Sequence, residues 1–268
     1  MCIRDSHNTE RAIRAKSNRI QPQDIGSIDV VLDEHDLEYP IDYREDQEAA
    51  FPLRAYATNV VSQGIQLQRE KMCADIAQNV ANYADGNKIA LSGTSCFTDA
   101  ASDPEGVIDD AKNAVRAKIA QYPNTMVIGA AAWMALKRHP QLKAILSDTR
   151  PRLVQIEDLK QIFEIQNVVI GQSVVANESK PAIVAPGTFV PEFLDIWSDN
   201  IILAYVPGAG GARTPYEPGY GYTLRKKGSL QVDTRTEDGK IELIRQTDIF
   251  RPYLLGADAG YLISNTNA

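Results

Sequence analysis

The side chains best suited to catalysis or metal binding are few in this chain and are widely separated in sequence. The histidines are His7, His35 and His139. None of them has a second histidine or a cysteine at the spacing of a zinc site. Cys73 and Cys96 would each need a general base to act as a nucleophile, and no histidine is close to either in sequence. We therefore expect no catalytic residue, no metal and no cofactor.

Two glycine-containing segments resemble functional loops only superficially. In the segment Gly93-Thr94-Ser95-Cys96-Phe97, a phenylalanine replaces the second glycine of a nucleophile elbow. Residues 208–211 are rich in glycine, but the Lys-Ser/Thr ending of a phosphate-binding loop is missing. An α/β hydrolase or nucleotide-binding enzyme that uses Ser95 or the 208–211 loop remains an alternative. It predicts a compact monomer or dimer with a pocket.

The overall charge excludes one class of partner. The net charge of the 268-residue chain is −7, and its pI is near 5.1. Proteins that bind nucleic acid without sequence preference rely on clustered Lys and Arg that neutralise phosphates. The acidic balance therefore predicts no such DNA binding. No apolar run approaches the roughly 20 residues that a membrane span requires, so no membrane partner is expected.

The N-terminal region divides into a polar arm and an acidic segment. Residues 1–6 resemble an artefactual remnant, and residues 7–24 are polar and basic, typical of an extended arm or a solvated tail. From Ile28 to Tyr43 acidic and apolar residues alternate loosely, which predicts two short strands joined near Glu34-His35-Asp36. Such a hairpin has too little apolar area to be stable alone. It must lie on its own domain or on a neighbouring subunit.

The strongest helical pattern follows this segment. Apolar residues from Leu53 to Tyr83 fall mostly at three- and four-residue steps, which predicts a helix over 52–84. Pro52 suits a first helical turn, and Asp85-Gly86-Asn87 ends the pattern. About 30 residues make a rod roughly 45 Å long. A helix of this length indicates a structural spine.

Helices then alternate with strands up to residue 206, which predicts a compact α/β domain. Within it, Asp103 is a candidate cap and Pro104 a first-turn residue of a helix that runs to Ala120. The C-terminal region differs. Alternation over Leu224–Thr234 and Lys240–Leu255 predicts two long strands that form a hairpin around Glu237-Asp238-Gly239-Lys240.

A further set of motifs runs in order along most of the chain. These are Glu70, Leu91-Ser92-Gly93-Thr94, Pro123-Asn124-Thr125, Leu136-Lys137-Arg138-His139-Pro140, Asp195-Ile196-Trp197, Ile201 to Val206, Arg213-Thr214-Pro215 and Gly219-Tyr220-Gly221-Tyr222-Thr223. Taken together, over roughly residues 25–264, they resemble the major capsid protein of a tailed bacteriophage. The resemblance implies the α+β tailed-phage capsid fold. A shell subunit needs no catalytic site.

The resemblance also implies a division of the chain. The expected parts are an N-terminal arm (1–24), an extended β-hairpin loop (25–46), a peripheral domain with the spine helix (47–88), an α/β axial domain (89–215), return strands of the peripheral domain (216–257) and a C-terminal strand of the axial domain (258–268). The long strands would return to the peripheral domain, and the last strand would rejoin the axial domain.

The implied function is structural. Such a protein self-assembles into hexameric and pentameric capsomers of an icosahedral head shell around double-stranded DNA. It is assembled in the host cytoplasm and ends in the virion. The implied partners are other copies of itself, scaffolding and portal proteins, and a cement protein. Some family members cross-link through a lysine of the extended loop, but residues 17–70 contain no lysine. We therefore expect noncovalent stabilisation or a cement protein.

Rings of identical subunits close through contacts in which one surface meets a different surface of the next copy. We expect acidic residues of the extended loop to meet basic residues of a neighbour. The acidic residues are Asp33, Glu34 and Asp36, and the basic ones are Arg225, Lys226 and Lys227 or the arginines of the arm. Two alternatives stay open beside the phage coat: an encapsulin-like nanocompartment, which encloses enzyme cargo, and another virion component, such as a decoration or tail protein.

Overall fold

The computed structural model describes residues 9–19, 26–146, 153–177, 183–185, 188–189, 192–208 and 219–267. Its helices are α1 (Tyr43–Glu48), α2 (Leu53–Gln78), α3 (Pro104–Ile119), α4 (Ala130–Arg138), α5 (Pro140–Leu146) and α6 (Ile156–Ile162). Its strands are β1 (Asp33–Asp42), β2 (Lys88–Ala90), β3 (Thr125–Gly129), β4 (Asn167–Gly171), β5 (Val174–Ala176), β6 (Ile183–Ala185), β7 (Thr188–Phe189), β8 (Phe193–Asp195), β9 (Ile201–Ala204), β10 (Gly221–Arg225), β11 (Gln231–Glu237), β12 (Ile241–Leu254) and β13 (Gly260–Ser264).

Several segments singled out in the sequence fall outside these ranges. Residues 1–6, His7, the motif at 213–215 and most of the 208–211 loop lie outside the described residues. Of the predicted arm, residues 9–19 form neither helix nor strand, and every one of them is exposed. Across the part of the chain that the structure describes, no helix has both the length and the apolar composition of a membrane span.

The longest helix, α2, is the predicted spine, but it is shorter than its sequence pattern suggests. It begins at Leu53, directly after Pro52, which occupies the cap position and not the first turn. It ends at Gln78, so its 26 residues span about 39 Å. The early end has a local cause: the side chain of Asn79 accepts a hydrogen bond from the backbone of Ala81 at 3.0 Å and starts a separate 3-10 turn.

One face of α2 packs on a four-stranded antiparallel sheet, in which β12 pairs with β1, β10 and β11. A small apolar cluster fixes this contact and consists of Ile41, Ala57 and Ile244. Farther along, the Ser62 hydroxyl donates a hydrogen bond to the side chain of Gln246. Gly64 marks a close approach, because a Cβ there would lie 2.6 Å from Cδ2 of Leu37. The absent side chain lets β1 lie close against the helix.

The acidic segment is one strand, so the predicted hairpin of two short strands is wrong. β1 runs through Glu34-His35-Asp36 without a turn and pairs with β12 from Asp33↔Phe250 to Asp42↔Ile241. The expected turn contains neither glycine nor asparagine, the residues that most readily adopt the positive φ of a tight hairpin. The 14-residue strand β12 offers a continuous hydrogen-bonding partner instead. The segment therefore lies on its own chain.

The C-terminal strands confirm the predicted hairpin turn but not the predicted length of its first strand. Asp238 and Gly239 have φ of 52° and 70°, as a tight hairpin requires. The expected strand over Leu224–Thr234 is divided into β10 and β11 by a turn at Gly228, whose φ is 78°. In this turn the backbone N–H of Ser229 donates to Lys226 O at 3.2 Å. β10 and β11 consequently pair with different lengths of β12.

The largest core lies around a mixed five-stranded sheet in the order β2-β13-β9-β3-β4. β13 is parallel to β2, β3 is parallel to β4, and β9 runs antiparallel to both of its neighbours. The C-terminal strand therefore lies inside the sheet that the middle of the chain builds. The division into peripheral and axial domains stays a prediction.

Helix α3 begins where the sequence predicts. Asp103 Oδ1 accepts a hydrogen bond from the backbone N–H of Gly106 at 3.1 Å, and Pro104 occupies the first turn. The helix ends just before Ala120, which has a left-handed φ of 56°. Its apolar face joins the main core through Ile108, Ala111, Val115 and Ile119. The predicted cap is confirmed, and the helix ends one residue before the predicted Ala120.

Candidate assembly surface

The four-stranded sheet has one face on α2 and one face turned away from it. Leu37 and Tyr39 of β1 lie on the helix side, where they approach Gly64 and the apolar cluster. Because side chains alternate along a strand, Asp36 and Glu38 face away from the helix. β1 and β11 pair with the same stretch of β12, so they form opposite edges of the sheet.

Arg245 lies at the centre of an ion-pair network on the face turned away from α2. Its guanidinium is 2.7 Å from Asp233 of β11, 3.9 Å from Glu38 and 4.0 Å from Asp36 of β1. The guanidinium of Arg235 adds a contact of 3.6 Å to Glu38. The hydrogen bonds that Arg245 donates lower the pKa of the Asp233 carboxyl. The register explains the network, because Glu38, Arg245 and Asp233 lie directly opposite one another.

On the other face, Arg225 forms a two-pronged ion pair with Asp248. Arg225 Nε donates to Asp248 Oδ1 at 2.8 Å and to Oδ2 at 3.1 Å, and Nη2 also donates to Oδ2. The Asp248 side chain is 1% exposed, whereas that of Arg225 is 37% exposed. Burial opposes ionisation of Asp248, but hydrogen bonds from Arg225 and Ser229 outweigh it and lower the pKa of the carboxyl.

The three acidic residues predicted to join neighbouring copies differ in their surroundings. Asp33 lies 3.8 Å from the guanidinium of Arg251. Asp36 has the long contact to Arg245 and accepts a hydrogen bond from the Thr247 hydroxyl at 3.3 Å. Glu34 is exposed and forms no ion pair with the described residues. Two of the three acids therefore already have weak partners in their own chain.

The three basic residues also differ. Arg225 is engaged by Asp248, so its guanidinium is not free for a neighbour. Lys226 and Lys227 lie in the turn between β10 and β11, are exposed, and have no ion pair within the described ranges. The arm's described arginines, Arg11, Arg14 and Arg19, are exposed. The structure does not bring the acidic and basic groups of one chain together.

A second cluster joins α2 to the five-stranded-sheet unit. The carboxylate of Glu70 accepts hydrogen bonds from Ser173 Oγ at 2.7 Å and Trp197 Nε1 at 2.8 Å. About two helical turns farther along α2, Gln78 makes two further hydrogen bonds. Its Nε2 donates to the carbonyl of Ile196 at 2.8 Å, and its Oε1 accepts from Asn200 at 2.6 Å. Glu70 and Trp197, both singled out as motif residues, are thus direct partners.

Two tyrosines complete this joint. The hydroxyls of Tyr83 and Tyr220 are hydrogen-bonded, and Tyr83 also donates to the carbonyl of Ala77 at 2.7 Å. Burial raises the pKa of Tyr83 above its usual value and that of Tyr220 to about 12. Both phenols are therefore neutral at physiological pH. They act as structural hydrogen-bonding groups between the end of α2 and the C-terminal part of the chain.

The candidate nucleophiles are not arranged for catalysis. Ser95 Oγ donates to the carbonyl of Ser92 at 2.8 Å within a short 3-10 turn, so it belongs to a local turn and not to a nucleophile elbow. Cys73 contacts Thr223 at 4.0 Å, and burial raises the pKa of its thiol. A raised thiol pKa disfavours the reactive thiolate. Cys96 is buried.

The described histidines have structural surroundings. His35 stacks on Phe250 with ring centroids 4.3 Å apart. His139 is buried, and its Nε2 lies 3.0 Å from Ser102 Oγ and 3.1 Å from the carbonyl of Asp99. Within the described ranges, no group of three or more His, Cys, Asp or Glu side chains could hold a metal ion.

Comparison with known proteins gives a consistent result over nearly the whole chain. A family model described as phage major capsid protein E matches residues 4–267. The chain is 59% identical, over 263 residues, to the major capsid protein of Burkholderia phage BcepMu, and the match covers 97% of this chain and 82% of that protein.

Solved structures extend the comparison to the fold. A phage-related protein from Bordetella bronchiseptica superposes with a TM-score of 0.75 at 28% identity, over 88% of this chain and 77% of that one. The mature capsid of bacteriophage PhiM1 gives a TM-score of 0.51 at 9% identity, over 93% and 78% of the two chains. At such low identity the second match concerns the fold alone.

Proposed function

The chain belongs to the phage major capsid protein E family and is a structural protein of the phage head, and from this premise we propose that its copies join through the acidic end of β1 and basic residues of a neighbour. The fold is the α+β phage capsid fold. Family membership identifies a shell protein of the virion and not an enzyme, and it favours the phage coat over a cargo-enclosing nanocompartment.

The observation that carries the proposed contact is the distribution of charges without close partners. Glu34, Lys226 and Lys227 are exposed and unpaired within the described residues, and Asp33 and Asp36 have only long ion pairs, of 3.8 and 4.0 Å. Ring closure requires a surface of one copy to meet a different surface of the next. Acidic and basic groups on different parts of one chain meet that requirement.

The proposed assembly also has partners beyond the chain itself. We propose hexameric and pentameric capsomers that assemble with a scaffolding protein, a portal and a cement protein. The wall encloses double-stranded DNA without sequence-specific binding, and the net charge of −7 supports a wall that does not adhere to the phosphates. The absence of lysine from residues 17–70 supports noncovalent joints around β1.

Neutralising the acidic residues tests the contact. The triple variant Asp33→Asn, Glu34→Gln, Asp36→Asn should form fewer shells than the parent chain. Because salt screens exposed charges, the deficit should be largest at low ionic strength. Light scattering and negative-stain electron microscopy measure it. The matched control neutralises three other exposed acids, Asp75, Asp85 and Glu157, and should assemble normally. Unchanged assembly of the first variant would rule out the contact.

A further inference from the structure

Of the three strands that flank β12 in the four-stranded sheet, β1 and β11 each have an unpaired edge within the described residues. β1 pairs with β12 and β11 pairs with β12, and neither strand has a second strand beside it. All seven residues of β11 are exposed, as are most residues of β1. An unpaired edge presents backbone N–H and C=O groups that readily pair with another strand.

The two edges run in the same direction and at the same level. Asp36 and Gln231 lie opposite the same residue, Thr247, and Asp42 and Glu237 lie opposite Ile241. β1 and β11 are therefore parallel to each other across β12. The N-terminal ends of both strands lie at the same end of the sheet.

This arrangement places opposite charges at that end of the sheet on opposite edges. Asp33, Glu34 and Asp36 lie at the start of β1. Lys226 and Lys227 lie in the turn just before β11. If the β1 edge of one copy meets the β11 edge of the next at the same level, the acidic residues come next to the lysines.

We propose that β11 of one copy and β1 of the next pair as parallel strands, so that the four-stranded sheets join into one intersubunit sheet. This inference rests on the proposed function, since it supplies the backbone geometry of the same contact. The two edges are different surfaces, so the contact is heterologous and can close a ring. The occupant of each edge is thus a second copy of this chain.

Pro40 limits where the new strand pairing can lie. Proline has no backbone N–H and within a sheet is confined to edges, first residues or bulges. Pro40 lies near the C-terminal end of β1. The intersubunit ladder should therefore involve Asp33–Tyr39. This is also the acidic part of the strand.

Cysteine pairs test the inference directly. Leu37 of β1 lies on the helix side of the sheet. Three residues of β11 lie on the same side, because each is opposite a helix-facing residue of β12: Val232, Thr234 and Thr236. Leu37→Cys is combined in turn with Val232→Cys, Thr234→Cys or Thr236→Cys, in a background with Cys2→Ser and Cys73→Ser that leaves Cys96, which is buried, as the one native cysteine. Neighbouring strands bring Cα atoms within disulfide range. Oxidised shells should then give a ladder of linked chains that extends beyond dimers on a non-reducing gel.

Controls and outcomes separate this inference from the proposed function. The variants with one introduced cysteine, and Leu37→Cys with Asp109→Cys on α3, should give no ladder. Shells without linked chains for any of the three pairs, or with dimers only, would overturn the inference alone. Failure of the parent chain to form rings or shells under every condition would overturn the proposed function as well.

Hydrogen–deuterium exchange provides a second measurement on the unmutated chain. Amides of residues 36–39 and 231–234 that point away from β12 should exchange about tenfold more slowly in assembled shells than in free subunits, because the new pairing satisfies their N–H groups. Equal exchange of both segments in the two states would contradict the strand pairing, even if a cysteine variant failed to assemble.

Discussion

The carboxylate of Glu70 accepts a hydrogen bond of 2.8 Å from the indole Nε1 of Trp197, although 127 residues separate them. This bond links the middle of α2 to the segment that precedes β9. Ser173 Oγ donates to the other carboxylate oxygen, so that Glu70 holds two parts of the five-stranded-sheet unit at once. The joint is polar and specific, and its strength can be measured.

Replacing Glu70 should weaken this joint more than replacing an exposed glutamate. Hydrogen bonds to a charged group contribute about 1.5–3 kcal/mol each, and removing the acceptor leaves two donors unsatisfied. Glu70→Ala should therefore lower the free energy of unfolding by about 2–3 kcal/mol in urea titrations of the unassembled subunit. Glu48→Gln, which breaks only an exposed pair with Arg44, is the control and should cost under about 0.5 kcal/mol. Equal losses of unfolding free energy in the two variants would show that Glu70 does not stabilise the contact between α2 and the five-stranded-sheet unit.

Trp197 also depends on the absence of a side chain at Gly171. A Cβ at this glycine would lie 2.1 Å from Cδ1 of the indole ring. A rigid ring cannot rotate away as the end of a flexible side chain can, so Gly171→Ala should destabilise the subunit by about 2 kcal/mol. Thermal unfolding measures the loss. Gly86→Ala, where a Cβ would meet nothing within 4 Å, should leave the midpoint nearly unchanged. A neutral Gly171→Ala would show that Trp197 is not held in this place.

The buried ion pair of Asp248 predicts a pH dependence of stability. Since the pKa of Asp248 is lower in the folded chain than its usual value, its contribution is fully present above about pH 4 and is lost as pH falls towards the folded value. Asp248→Asn should cost about 3 kcal/mol at neutral pH. Its free energy of unfolding should also decline less between pH 5 and pH 3 than that of the parent chain. Parallel pH profiles from urea titrations would contradict the assignment.

The network around Arg245 predicts a salt dependence. Arg245→Gln removes the cation that faces Asp36, Glu38 and Asp233. Like charges across neighbouring strands are destabilising, so the thermal midpoint should fall at low ionic strength. The difference from the parent chain should shrink at about 1 M salt, where the screening length is about 3 Å. Arg44→Gln is the matched control. A deficit that is independent of salt would indicate lost packing and not lost charge.

Local signals in the sequence predicted several elements correctly. Asp103 caps α3, and Pro104 has a fixed φ that suits the first turn. Both effects act within one turn, and α3 begins there. Asp238 and Gly239 tolerate positive φ, and the turn between β11 and β12 forms around them. The register of that hairpin, extended from the turn, also places Asp233 opposite Arg245. The centre of the ion-pair network could thus have been found from the sequence.

Features that depend on distant parts of the chain could not be predicted. The local pattern of β1 predicts a turn near His35, but the strand continues because it pairs with β12. That partner lies about 200 residues farther along the chain, so nothing near His35 indicates it. Nothing near Asp248 in the sequence indicates that its carboxylate is buried against Arg225. Glu70 was recognised only as part of a family motif, since nothing near it in sequence indicates that Trp197 and Ser173 are its partners.

The most direct test of the shell function is negative-stain electron microscopy, with light scattering, on the purified protein expressed alone and together with its neighbouring genes. A phage capsid subunit should form closed shells, or rings of five and six copies. The variant that lacks the acidic groups of Asp33, Glu34 and Asp36 should form fewer shells, most clearly at low ionic strength. A chain that stays monomeric under every condition would contradict the account.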